Sequence, residues 1–273
     1  MTSSPSSSVK SLVQLVKQKV SVATVKRFLS DNDSCPDVDR VDINEADCDG
    51  NNVTALYYAC EDGNNDLVEL LLAHPNIDPN AAGEYGDTPL TIASNDGRGK
   101  IVKLLLAHPM IDVNKRCVNG AVHSPLVAAC TQGRLGVVKL LLARPDINVN
   151  MNAGEGKDDV DTALHAACTF GYVGIVTELL AHPDINVNIR DEHGRTPLFL
   201  ACDNYRLSII KLLLSRTDID VNLTDSQGLT SINAVKKMHQ NYVDNKLEFT
   251  APGKRLHNII SALTADPRVS QNV

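Results

Sequence analysis

The chain has no tryptophan, and aromatic residues make up only 4% of its 273 positions. Ala, Leu, Val and Ile must therefore build the core, which suits thin layers of small side chains better than one thick globular centre. No apolar run approaches the roughly 20 residues of a membrane-spanning helix. The opening MTSSPSSSVK has no apolar core segment, so it reads as a Ser-rich flexible tail and not as a secretory signal. Lys and Arg number 26 against 33 Asp and Glu, a net charge of −7, and no basic cluster stands out. That argues against nucleic acid as a partner, since phosphate contacts need clustered Lys and Arg. The seven cysteines are odd in number and form no CxxC pair. A reducing interior is the expected setting, the cytoplasm first and the nucleus as an alternative. GxSxG, HExxH and kinase signatures are all missing. No enzyme activity and no cofactor are expected.

What is present is a repeat. A [TS]-x-[LI] triplet recurs at Thr54, Thr88, Ser124, Thr162, Thr196 and Thr230, with spacings of 34, 36, 38, 34 and 34 residues. LVELLLAHPNIDPN (67–80) returns as IVKLLLAHPMIDVN (101–114), VVKLLLARPDINVN (137–150), IVTELLAHPDINVN (175–188) and IIKLLLSRTDIDVN (209–222). Self-similarity at such a period marks a stack of supersecondary units. Thr or Ser before Pro is a helix start: the hydroxyl accepts a free backbone N–H, and Pro fits the first turn. Gly63, Gly97, Gly133 and Gly171 end that short helix in a left-handed turn. Repeat five has Tyr205 there, so either Asn204 takes the turn or the corner is distorted. A second helix follows, with Val102, Leu105 and Leu106 at helical spacing, and stops at His-Pro or Arg-Pro. The IDVN piece then returns extended as a finger. Neither helix buries its apolar face alone, so neighbouring units must cover each other.

This pattern resembles the ankyrin repeat family. GDTPLTIA (86–93), DTALHAA (161–167), HGRTPLFLA (193–201) and the recurring LLL…VN carry the resemblance, and His165 stands where that family usually has its TPLH histidine. The resemblance implies an all-α solenoid of stacked helix-turn-helix units with extended finger loops. The expected organisation is a tail at 1–8 and a capping repeat at 9–44. Repeats at 45–80, 81–114, 115–150, 151–188 and 189–222 follow, and an atypical capping repeat with an insertion closes the chain at 223–273. In the last unit some sixteen extra residues, around 240–254, are expected to intervene before LHNIISALTADPRV (256–269) restores the second helix.

Several motifs carry a hint of chemistry that their surroundings do not sustain. Cys60, Cys130, Cys168 and Cys202 share one slot after the first-helix Ala and read as small buried hydrophobes. Repeats about 10 Å apart are too distant for disulfides. Cys35, Cys48 and Cys117 fall in loops. His74, His108 and His182 recur in AHP without ligand-spaced cysteines, so capping of the helix C-terminus is expected and metal is not. Glu45-x-Asp47-x-Asp49-Gly50 echoes a calcium loop, but Leu56 holds the place of the bidentate Glu. Gly154-Glu155-Gly156-Lys157 lacks the rest of a phosphate loop. Asn80, Asn114, Asn150, Asn188 and Asn222 recur in register as turn locks.

By the family resemblance, partners touch the finger tips and the exposed side of the first helix. The finger candidates are Glu84, Tyr85, Asp87, His123, Asp158, Asp159, Asp161, Glu192, His193 and Arg195. The first-helix candidates are Glu61, Asp62, Asn95, Asp96, Thr131, Gln132, Thr169, Phe170, Asp203 and Asn204. This strip is mostly acidic, whereas the second helices carry Lys100, Lys103, Lys139 and Lys211. The segregation points to a basic or mixed-charge partner. Phe170 is expected to be exposed as a binding anchor, and the long finger NMNAGEGKDDVD (150–161) to join the contact surface. The expected function is a monomeric, non-catalytic scaffold for a protein or peptide, with no membrane association. The alternative is a substrate-recruiting region or subunit of a larger enzyme, or a secreted effector.

Overall fold

The computed structural model describes residues 11–33, 42–47, 52–83, 85–116, 124–152, 162–245 and 250–269. Among these, fourteen helices come as successive short pairs, and β structure is limited to the isolated bridges Ala46–Thr54 and Thr224–Thr230. The chain divides into two compact units, Met1–Pro125 and Leu126–Val273.

In the first unit α1 (Leu12–Lys17), α3 (Ala55–Asp62) and α5 (Pro89–Asn95) form one row. α2 (Val22–Asp33), α4 (Asn65–Leu72) and α6 (Gly99–Ala107) form a second row against it. Leu56, Leu71, Leu90, Ile101 and Leu105 are fully buried between the rows. The second unit contains α7 (Pro125–Thr131), α8 (Leu135–Leu142), α9 (Ala163–Phe170), α10 (Val173–Ala181), α11 (Pro197–Asp203), α12 (Leu207–Leu214), α13 (Ser231–Asp244) and α14 (Ala251–Thr264). There α9, α11 and α13 pack in series, as do α8, α10, α12 and α14.

Five of the first helices start as the sequence predicts. The hydroxyls of Thr54, Thr88, Thr162, Thr196 and Thr230 accept the backbone N–H three residues on, at 3.1–3.4 Å. The first helix ends at Gly63, Gly97, Gly133 and Gly171 with φ between 69° and 87°. These positions are crowded as well as left-handed. A Cβ on Gly133 would lie 2.7 Å from the Tyr172 ring, and one on Gly171 2.8 Å from the Arg206 guanidinium. In repeat five the expectation is corrected: Tyr205 itself takes φ 58°, while Asn204 has φ −96°. The reason is register. Tyr205 N–H bonds Cys202 O and Arg206 N–H bonds Ala201 O, repeating the bonds of Gly97 to Ser94 and Arg98 to Ala93. Shifting the turn to Asn204 would break both.

The histidines of AHP cap the helix ends, as expected: His108 and His182 are the C-cap residues of α6 and α10, with N–H groups bonding Leu105 O and Leu179 O, and His74 N–H bonds Leu71 O. Nδ1 of His74, His108 and His182 also accepts the N–H two residues ahead, at 3.2–3.3 Å, closing the turn that follows the helix. Arg144 and Arg216, in the same register, fork onto Asp146 and Asp218. Repeat five thus stops its helix without a proline. The extra residues of the last unit do not form the expected intervening segment throughout. α13 continues to Asp244, and α14 already begins at Ala251, capped by the Thr250 hydroxyl.

The finger asparagines lock neighbouring repeats together. Asn188 Nδ2 donates to Asp218 O at 2.7 Å, and its Oδ1 accepts Asp220 N–H at 2.8 Å. Asn44, Asn80 and Asn150 make the same two bonds, to Asn76 and Asp78, Met110 and Asp112, and Asp184 and Asn186. Asn188→Ala removes its side-chain bonds to Asp218 C=O and Asp220 N–H, both of which water can reach. It is expected to cost about 1 kcal/mol, read as a lower urea midpoint; an unchanged midpoint would show the ladder to be incidental.

Candidate partner-binding surface

The four repeat-slot cysteines are buried free thiols, and burial holds each thiol well above its ordinary range. Ser94 fills that slot in repeat two, and its hydroxyl has no hydrogen-bond partner among the described residues. No group of three or more His, Cys, Asp or Glu among the described residues is arranged to hold a metal. No helix there is long and apolar enough to cross a membrane. The fingers and the first-helix ends carry the expected partner-facing residues.

In the first unit several of the expected residues converge. Glu61, Tyr85 and Asp87 line a recess of about 230 Å³ together with Val53, Tyr57, Tyr58 and Gly83. Tyr85 is 54% exposed at the finger tip, and Glu61 and Asp62 are exposed at the end of α3. Hydrogen bonds from Gly83 N–H to Asp87 O and from Gly86 N–H to Gly83 O hold the finger turn. Partial burial raises the Glu61 carboxyl, and the like charges of Asp62 and Asp96 raise it further, against Lys19. Burial beside Asp87, Glu61 and Asp96 likewise drives the Tyr57 phenol upward. Asn95 and Asp96 at the end of α5 are half-buried and bond each other at 3.1 Å.

The second unit is less acidic where it is described. Phe170 is 42% exposed, as expected, with its ring 6.2 Å from that of Tyr172. Thr131, Thr169 and Asn204 are half-buried, while Gln132, Glu192, His193 and Asp203 are exposed. Arg195 is turned inward: its guanidinium donates to Asp191 at 2.7 Å, and the two side chains are 16% and 1% exposed. Glu84, His123, Asp158, Asp159 and Asp161, and with them most of the long finger, lie outside the described residues, as do Cys35, Cys48 and Cys117.

The expected separation of charge is incomplete. Lys100, Lys103, Lys139 and Lys211 are exposed on second helices, but α4 also carries Asp66 and Glu69. Lys139 pairs with Glu178 of α10 at 3.0 Å.

A family model described as Ankyrin repeats (3 copies) matches residues 12–117, 84–153 and 126–225. The chain belongs to the ankyrin repeat family. Solved structures agree on the fold. The ankyrin repeat domain of Bcl-3, a member of the IkappaB protein family, aligns with a TM-score of 0.69 at 21% identity, over 81% of this chain and 92% of that one. The human ASB11 ankyrin repeat domain aligns with a TM-score of 0.65 at 21% identity, over 97% and 98%. No curated protein matches the chain in sequence. Ankyrin repeats are in general protein–protein interaction modules, so the fold supplies the frame and exposed residues the site.

Sequence reasoning named three residues of the recess and missed Val53, Tyr57, Tyr58 and Gly83. A signal for Tyr57 was there: it occupies the same slot, three residues after the capping Thr, that holds His165 in repeat four.

Proposed function

We propose that this ankyrin repeat protein is a non-catalytic scaffold that binds a basic or mixed-charge protein segment on its finger and first-helix surface. The observation that carries this reading is the convergence in the first unit of Tyr85, Glu61 and Asp87 around one recess, with Asp62 and Asp96 beside it. Burial and the like charges of Asp62 and Asp96 raise the proton affinity of Glu61, and a cation docking there relieves that repulsion. Phe170 adds an exposed aromatic anchor in the second unit. Glu192, His193, Asp203 and Gln132 extend the contact there. The long finger contributes Asp158, Asp159 and Asp161, the partner carries the complementary charge, and the protein works as a monomer in the cytoplasm or nucleus.

The test is affinity capture from cell lysate at low and at high salt, with bound proteins identified by mass spectrometry. Glu61→Lys/Asp62→Lys/Asp96→Lys is expected to reduce capture about 10- to 100-fold at low salt, the range for several charge pairs lost together. Lys100→Glu/Lys103→Glu on α6 is expected to leave capture unchanged. Equal capture by all three proteins would refute the assigned face.

A further inference from the structure

The recess of the first unit has a more specific chemistry than an acidic surface. We propose that the Tyr57–Tyr58–Tyr85 recess seats one arginine side chain of the partner, its guanidinium held by Glu61 and flanked by tyrosine rings; this rests on the scaffold reading above. About 230 Å³ is below the 300–1,000 Å³ usual for small-molecule sites, so the space suits one long side chain. Its walls are flat and carry charge of one sign. Tyr57 and Tyr58 stand edge to face with centroids 6.2 Å apart, and Tyr85 lines the same recess from the finger. A planar guanidinium stacks on such rings and directs its N–H groups sideways to a carboxylate, which a compact ammonium does less well.

The fold already uses related chemistry next door. Lys17 lies 5.0 Å from the Tyr58 ring centroid while pairing with Asp47, which also accepts the Tyr58 hydroxyl at 2.7 Å. Lys19 pairs with Asp62 at 2.8 Å, and Arg98 donates to the Glu61 carbonyl at 3.1 Å. The Glu61 carboxylate belongs to neither ion pair, and its proton affinity is raised by burial and by Asp62 and Asp96. An incoming cation therefore meets a partly desolvated carboxylate with like charges and tyrosine rings beside it. A quaternary ammonium would stack but has no N–H for Glu61, which is why the recess suits arginine.

The probe is a fluorescein-labelled Gly-Ser peptide with three spaced arginines, titrated with the full chain by polarisation at low salt. Lysine and citrulline versions are run beside it. Arginine is expected to bind about tenfold more tightly than citrulline, which keeps the shape and loses the charge. Glu61→Gln is expected to weaken the arginine peptide about tenfold, and Tyr85→Ala about three- to fivefold. Thr177→Ala, on the exposed face of α10 in the other unit, is expected to change nothing. Both recess residues are exposed, so these variants should keep the helical spectrum of the parent. Equal binding of arginine and lysine peptides overturns the guanidinium assignment, and indifference to Glu61→Gln and Tyr85→Ala overturns the recess. If the peptide fails while capture from lysate still responds to charge reversal, the arginine site alone falls. If both fail, the surface itself is wrong.

Discussion

Leu179→Ala is expected to lower the stability of the second unit by about 3 kcal/mol, within the range for Leu→Ala in a packed core. Leu179 lies in α10 with 0% exposure, and α10 packs against α8, α9 and α12. One truncation therefore opens a cavity that faces the partner helix and both neighbouring repeats. In a stack, stability is approximately a sum of intrinsic repeat terms and nearest-neighbour interfaces. A loss in a middle repeat weakens two interfaces at once, where a terminal repeat would weaken one. Urea unfolding followed by far-UV circular dichroism should show an earlier midpoint, or a transition that separates into two steps. Thr177→Ala, on the exposed face of the same helix, should stay within about 0.5 kcal/mol of the parent. Equal effects at the two positions would contradict the layered core.

The repeat was legible because its signals are local and redundant. Thr caps, Gly turns and the LLL spacing each act within a few residues, and each recurs in several copies, so register could be read without tertiary information. What failed was also local, but set by neighbours. Asn204 looked the better left-handed residue than Tyr205 on intrinsic preference. The two backbone bonds that close the turn fix the conformation by position and override that preference. The AHP histidines were legible as helix ends, but not the further bond of each ring to the N–H of the next turn, which depends on how the chain reverses after the helix.

The site was half legible. Register placed Glu61, Tyr85 and Asp87 on the open side, since exposure follows the helical period and the finger phase. It did not reveal that Tyr57 and Tyr58 back them, because that depends on how α3 meets a finger two dozen residues away. Nor did it show that Arg195 is held by Asp191, since a finger arginine looks exposed in any one-dimensional reading.

His165 gives the second large effect, through pH. The ring is buried in α9 between two acceptor-rich neighbours. Nδ1 lies 3.0 Å from Thr162 Oγ1, and Nε2 lies 3.3 Å from the Arg195 carbonyl. A carbonyl only accepts, so Nε2 carries the proton and Nδ1 accepts the Thr162 hydroxyl; the imidazole is neutral. Burial pushes its pKa from 6.5 down to about 4, against the pull of Asp191 and of the Arg195 carbonyl bond. In the unfolded chain the same ring protonates near 6.5. Below that pH the unfolded state binds a proton that the folded state refuses, so stability falls as pH drops from about 6.5 toward 4. At about 1.4 kcal/mol per tenfold change, the gap corresponds to about 3 kcal/mol at the lower limit. His165→Thr is the matched comparison, because repeat two already pairs Thr88 and Thr91 hydroxyls at 3.0 Å in these positions. Urea midpoints between pH 7.5 and 4.5 should converge: the parent is the more stable protein at high pH and loses that lead as the solution is acidified. Carboxylate titration is common to both proteins and cancels in the difference. Parallel curves would mean that His165 takes up its proton at the same pH in the folded and the unfolded chain, so that burial does not hold the ring neutral.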